Sequence, residues 1–139
     1  MGLVCSPEDL ISRTRAGKQF VNLDADDTLV TADIYDPARA RSVATVSEQG
    51  KLLVFPIAEA KRLANGGKGV ILMGLDSGDG LAGAVTLGHH ALALGGTGRG
   101  GKWSEIRLTK HQLDEFAGKR ARKGKRISST LKPKVVGRG

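Results

Sequence analysis

Short apolar bursts separated by turns rich in Gly, Asp and Lys run along this chain, a pattern that predicts strands joined by tight loops. Leu10 and Ile11 precede the Ala16-Gly17-Lys18 turn and Phe20 and Val21 follow it, which predicts a β-hairpin over 9–23. A polar loop at 24–28 leads to a predicted strand at 29–34. Tyr35-Asp36-Pro37 then makes a turn, Asp bonding its own backbone and Pro fixing φ. Residues 42–55 read as strand, Gly50-Lys51 turn and strand, stopped by Pro56, with a short helical stretch over 57–63. The loop Asn65-Gly66-Gly67-Lys68-Gly69 precedes a strand at 70–75, a turn at 76–80 and a strand at 81–87. A strand at 90–94, an enlarged turn at 95–101 and an alternating strand at 102–108 follow. Thr109 and Gln112 make a capping box ahead of Leu113 and Phe116, so a helical turn is expected over 109–117. The loop 118–125 and a strand at 126–131 complete the pattern.

One unit recurs here: strand, Gly-Lys turn, strand, loop, strand. Its turns are Gly17-Lys18, Gly50-Lys51 and Gly101-Lys102, and the shorter first interval gives the first copy a short loop. The later loop is rich in Gly and Lys in the second and third copies, at Gly67-Lys68 and Gly124-Lys125. Unit size and turn density match propeller-type blades of about four antiparallel strands. The expectation is an all-β chain of about three blades. Residues 1–35 make a partial first blade, 36–87 the second, 88–131 the third and 132–139 a basic C-terminal tail.

Composition agrees with a turn-rich β protein. Gly accounts for 20 residues and Pro for 4, so turns are abundant. The hydrophobic fraction of 40% is slightly low for a globular domain but is not that of a disordered chain. No apolar run approaches the ~20 residues of a membrane span. The first residues lack the basic start and long apolar stretch of a signal peptide. The single Cys5 fits a reducing cytosol.

Charge changes the picture more. The formal net charge is +8, with 22 Lys and Arg against 14 Asp and Glu. From 118 to 139 there are nine basic residues and no acidic one: Lys119, Arg120, Arg122, Lys123, Lys125, Arg126, Lys132, Lys134 and Arg138. The remaining chain is slightly acidic, so all the net charge comes from this end. Such a concentration attracts polyanions and raises their on-rate. In 119–127 the basic residues alternate with Gly, Ala and Ile, which distinguishes them from a plain solvated tail. Gly-rich backbone N–H groups and Lys/Arg heads suit phosphate oxygens, contacts that position a duplex without reading its sequence.

Other motifs do not carry chemistry. Gly96-Thr97-Gly98-Arg99-Gly100-Gly101-Lys102 fits Gly-x-Gly-x-x-Gly and the start of a P-loop, but both need a helix next. Residues 102–108 alternate like a strand, and Trp103 stands where a P-loop has Ser or Thr. No nucleotide is expected. Asp24, Asp26 and Asp27 lack the Gly of a calcium loop, that position being Leu29. His89, His90 and His111 have no Cys partners at zinc spacing. No nucleophile–base or paired-carboxylate arrangement stands out, so neither metal nor catalytic residues are expected.

The runs Leu10-Ile-Ser-Arg-Thr-Arg-Ala-Gly-Lys18, Gly50-Lys-Leu-Leu-Val-Phe-Pro56, Gly66-Gly-Lys-Gly-Val-Ile71 and Gly118-Lys-Arg-Ala-Arg-Lys-Gly-Lys125 together resemble the C-terminal domain of the A subunit of bacterial type IIA topoisomerases. The topoisomerase IV branch resembles it most. The resemblance spans nearly the whole chain, in order and at compatible spacing. It implies a β-pinwheel, a disc of blades that bends duplex DNA around a basic rim. The related gyrase A domain carries a Gln-Arg-Arg-Gly-Gly-Lys-Gly box. This chain keeps only Gly66-Gly-Lys-Gly69, preceded by Leu63-Ala-Asn65, which favours topoisomerase IV and a weaker bend over complete wrapping. The family domain has more blades, so the chain reads as a C-terminal fragment. The resemblance places the catalytic Tyr and the metal-binding acidic residues outside it, and Tyr35, in its Tyr-Asp-Pro turn, is no candidate.

The expected function is therefore a non-catalytic module that presents duplex DNA to a strand-passage core for decatenation and relaxation. Phosphate contacts are expected first from Lys119, Arg120, Arg122, Lys123, Lys125 and Arg126, then Lys68, then Lys18, Lys51 and Lys102. The chain itself needs no cofactor; by resemblance the holoenzyme uses ATP and Mg. The partner is duplex DNA, with the dimer of A subunits and the B subunit reached only through parts outside this chain. The resemblance implies a cytoplasmic, nucleoid-associated protein, with peripheral inner-membrane association open to the holoenzyme. The alternatives are a gyrase-type wrapping domain and a protein-interaction module whose basic tail meets an acidic partner. Single-stranded RNA is disfavoured by the few aromatics.

Overall fold

The structure is a computed structural model that describes residues 1–12, 14–127 and 130–139. Among the described residues the strands are β1 (Ser42–Ser47), β2 (Lys51–Pro56), β3 (Leu81–Leu87), β4 (Leu92–Thr97), β5 (Trp103–Leu108), β6 (Lys125–Arg126) and β7 (Lys132–Arg138). They form two antiparallel sheets, ordered β3-β1-β2-β6 and β5-β4-β7. The fold is all-β, as the periodicity implied.

The β1–β2 hairpin is the centre of the first sheet. Val43 faces Phe55 and Val46 faces Leu52 in its register. Glu48-Gln49-Gly50 turns the chain, and Gly50 adopts φ +88° with its N–H donating to Ser47 O. The hairpin is apolar without alternation because it is buried on both faces. Ala44, Val46, Leu52 and Val54 join Val85, Leu87, Leu92, Leu94 and Leu113 in a core shared by the two sheets. On the other face Val43, Leu53 and Phe55 pack on Met73, Leu72 and Ile57. Leu52 is fully buried, and burial of a side chain that size stabilises by about 1.5–3 kcal/mol.

Several expectations need correction. The predicted 9–23 hairpin does not form: Pro7–Leu10 is a 3-10 turn, and Val21 makes only a single parallel bridge to Gly67. Arg13 of that prediction lies outside the described residues. Residues 29–34 are not a strand, and Leu29, Val30 and Ile34 stay exposed. An extended segment becomes a strand only against a partner edge, and this one is tied instead through Asp33. Residues 70–75 are held by single bridges, Val70 to Gly2 and Gly74 to Lys123, rather than by a ladder. The helical stretch expected over 57–63 is limited to a 3-10 turn, Ile57–Glu59.

Gly95 and Gly96, expected in a turn, lie inside β4. A Cβ on Gly96 would stand 2.0 Å from the Lys132 carbonyl oxygen, so the missing side chain lets β7 approach. That strand is the plainest correction: 132–139 is not a loose tail, because Lys132–Arg138 pairs along the whole of β4. The strand expected at 126–131 reduces to Lys125–Arg126, with Ser128 and Ser129 outside the described residues. The expected capping box is present, Thr109 Oγ1 accepting from Gln112 N–H ahead of the helix α1 (Lys110–Leu113).

Candidate nucleic-acid interface

The basic loop is built into the first sheet. Gly118 N–H donates to Val54 O, Ala121 N–H to Leu72 O and Ile127 N–H to Gly50 O, each within 2.8–3.0 Å. Between them Lys125 faces Leu52 and Arg126 faces Lys51 across β2–β6. Gly124 permits this, since a Cβ there would lie 2.7 Å from the Leu52 carbonyl oxygen. Ala121 takes φ +69°, the left-handed region that costs a residue with a Cβ roughly 1–2 kcal/mol. Its N–H bond to Leu72 and the bond of Gly74 N–H to Arg122 O hold that conformation.

This seating sorts the expected contact residues. Lys119, Arg122, Lys125 and Arg126 are exposed, and no ion pair joins them to an acidic group among the described residues. Arg120 turns inward: its N–H donates to Glu59 Oε1 at 2.9 Å and its guanidinium to Ile71 O at 2.6 Å. It anchors the loop to the 57–71 stretch. Lys123 Nζ lies 2.7 Å from Asp76 Oδ1, and Lys51 Nζ takes the other oxygen of the same carboxylate. Hydrogen bonds from Lys123 and Lys51, helped by their charges, hold the Asp76 carboxyl down at about 2. The same contact raises the Lys123 ammonium above its ordinary value.

Lys51, Lys123, Lys125 and Arg126 thus share one edge, joining the second Gly-Lys turn to the basic loop. Lys68 and Lys18 belong to the corresponding place one copy earlier. Gly67 bridges Val21 as Ala117 bridges Val54, and both valines stand three residues past the lysine of a Gly-Lys turn. Structurally, then, the Gly66–Gly67 stretch corresponds to 116–117, and Gly67 pairs with a position seven residues ahead of Gly124. Lys68 Nζ meets Asp24 Oδ1 at 2.9 Å, and Lys18 Nζ lies 5.9 Å from the Phe20 ring centroid. Lys102 sits on the other sheet, in the β4–β5 turn, where Gly100 and Gly101 both have positive φ.

Asp76 and Asp24 were not expected at the interface. Asp76 reads in sequence as part of a turn, and nothing local points to lysines 25 and 47 positions away. Lys132, Lys134 and Arg138 were counted as tail charge. Arg138 instead closes a joint between the sheets: its guanidinium donates to Asp33 Oδ2 at 2.8 Å and to Thr86 Oγ1 at 3.0 Å. Asp33 also accepts from the Thr86 N–H and hydroxyl. Partial burial pushes the Asp33 carboxyl up, but the bonds from Thr86 and Arg138 outweigh it and hold it below the ordinary carboxylate value.

A family model described as "DNA gyrase C-terminal domain, beta-propeller" matches residues 1–36 and 41–87, more than half of the chain. The chain belongs to this family. Within the gyrase C-terminal domain family, it is similar to the A subunit of DNA topoisomerase 4 from Escherichia coli K12, 27% identical over 129 residues. That alignment takes 88% of this chain but 16% of the relative, so the chain spans about a sixth of the curated relatives it matches. The fold matches that of the E. coli ParC C-terminal domain, with a TM-score of 0.72 at 23% identity over 99% of this chain and 56% of that one. It also matches a crystal structure of the C-terminal domain of DNA topoisomerase IV, with a TM-score of 0.75 at 18% identity over 97% and 42%. Recognition as a topoisomerase IV type C-terminal domain, and the propeller-like β architecture, agree with the sequence reading.

Proposed function

We propose that this domain binds and bends duplex DNA along the edge formed by Lys51, Lys119, Arg122, Lys123, Lys125 and Arg126, and presents it to the strand-passage core of a topoisomerase IV type enzyme. The observation that supports this most is the seating of the basic loop on β2. The loop is fixed by backbone bonds while Lys119, Arg122, Lys125 and Arg126 stay exposed. A fixed array of cations aligned with a sheet edge suits the regular spacing of phosphates on one face of a duplex. Binding is sequence-tolerant and falls steeply with salt, because released counterions supply most of its free energy. The domain carries out no chemistry and takes no cofactor. ATP and Mg act elsewhere in the holoenzyme, and contacts with the second copy of the chain and with the B subunit lie elsewhere too. Its working site is the nucleoid, in the cytoplasm. The gyrase-like alternative, complete wrapping, is disfavoured by the shortened Gly66-Gly67-Lys68-Gly69 box.

Fluorescence anisotropy on two unrelated duplexes, titrated from 50 to 200 mM KCl, tests the proposal. Equal affinities and a steep log–log salt slope are expected. Neutralising Lys119, Arg122, Lys125 and Arg126 together lowers the magnitude of that slope by roughly 3–4. An unchanged affinity and slope in that variant overturns the reading.

A further inference from the structure

In both corresponding loops, a lysine expected to meet phosphate is already held by an aspartate from a neighbouring segment. Asp76 bridges Lys123 and Lys51 with its two carboxylate oxygens, and Asp24 holds Lys68. The two aspartate side chains are 42% and 66% exposed. Neither belongs to the buried core. Backbone bonds, not these ion pairs, seat the basic loop. A carboxylate that takes an ammonium on each oxygen offers the same acceptor chemistry as the two non-bridging oxygens of a phosphodiester.

We infer that Asp76 and Asp24 are built-in competitors of DNA phosphate, which hold the lysine heads in place and set DNA affinity below the level the lysines alone would give. The inference rests on the proposed DNA binding and deepens it. A lysine paired with an aspartate gains little from meeting a phosphate, since one exposed ion pair replaces another. Freed of the aspartate, each lysine gains a full phosphate contact and adds about 0.9 to the magnitude of the salt slope. Because the Asp76 carboxyl is held at about 2, ordinary changes of pH leave this competitor charged, and only phosphate itself displaces it.

The test compares D76N, D24N and D36N in the full chain by anisotropy on a labelled duplex at 50–200 mM KCl. Asp36 makes its ion pair with Arg39, on an exposed turn remote from the basic loop in sequence. D36N therefore removes the same charge and reports the general field effect. D76N is expected to bind about 3- to 10-fold tighter than D36N with a slope larger by about 1–2, and D24N about 3-fold tighter. Lys123→Met lowers affinity in both backgrounds, and by several-fold more in D76N than in the unsubstituted chain. Thermal melts establish that each variant is folded. If D76N does not fold, D24N, in an exposed loop, carries the test alone. Affinities of D76N and D24N no greater than that of D36N overturn the inference while leaving DNA binding intact. A chain that binds no duplex, with or without the substitutions, overturns the DNA reading and this inference with it.

Discussion

Gly124 ties the fold to the interface, and Gly124→Ala separates loop geometry from loop charge. A Cβ at 124 would lie 2.5 Å from Met73 Cε and 2.7 Å from Leu52 O. The methionine end can move, but the carbonyl belongs to the backbone of β2, one residue past its start. Comfortable contact distances are about 3.5–4.0 Å, so the loop must lift by about 1 Å. That stretches the short β2–β6 pairing past hydrogen-bond range. Two lost backbone bonds at about 1 kcal/mol each give a destabilisation of about 2 kcal/mol, within the 1–3 kcal/mol usual for overpacking. For a chain of this size the melting temperature should fall by roughly 6–10 °C. Gly137→Ala is the control, because nothing lies within 4 Å of a Cβ there. It should melt within a few degrees of the unsubstituted protein. No charge changes in either variant, so the salt slope of DNA binding should stay constant while Gly124→Ala weakens affinity several-fold. Gly124→Ala melting and binding as Gly137→Ala does would show that the basic loop is not seated on β2.

Two further outcomes are expected. Asp33→Asn removes the carboxylate charge shared by Thr86 and Arg138 and turns one of its oxygens into a donor, and it should lower stability at neutral pH by about 1–2 kcal/mol in urea titrations. The native carboxyl titrates below its unfolded value, so its contribution is present above the ordinary carboxylate pKa and is lost as pH falls through the native one. The variant should therefore show a flatter loss of stability on acidification below about pH 4, and an unchanged acid limb would refute the joint. Leu52→Ala, at a fully buried position, should cost about 2–5 kcal/mol, read as a lower urea midpoint at constant m.

Much of the site was legible in the chain. The cluster Lys119 to Arg126 is visible as charge alone, and its Gly and Ala residues marked it as something other than a tail. The Gly-Lys turns were legible because a left-handed residue at a tight turn favours Gly, and Gly17, Gly50 and Gly101 all have positive φ. The inward course of Arg120 was not legible, since its partners Glu59 and Ile71 stand 61 and 49 residues away. The pairing of Lys51 and Lys123 through Asp76 was hidden for the same reason.

By itself the sequence determined the elements whose cause is local. The hairpin Ser42–Pro56, the alternation of Trp103–Leu108 and the capped turn at Thr109 follow from neighbouring residues. Only the tertiary structure decided which extended segments became strands. Residues 29–34 carry strand-forming side chains yet lack an edge, whereas 132–138, with three basic residues and Pro133, pairs fully because Gly96 opens β4 to it. A ladder needs two partners, and the second is chosen by packing across the chain rather than by the residues on either side. The basic loop shows both halves of this. Its charge was written in 119–126, and its place beside Lys51 and Asp76 was decided when Gly124 let it close against β2.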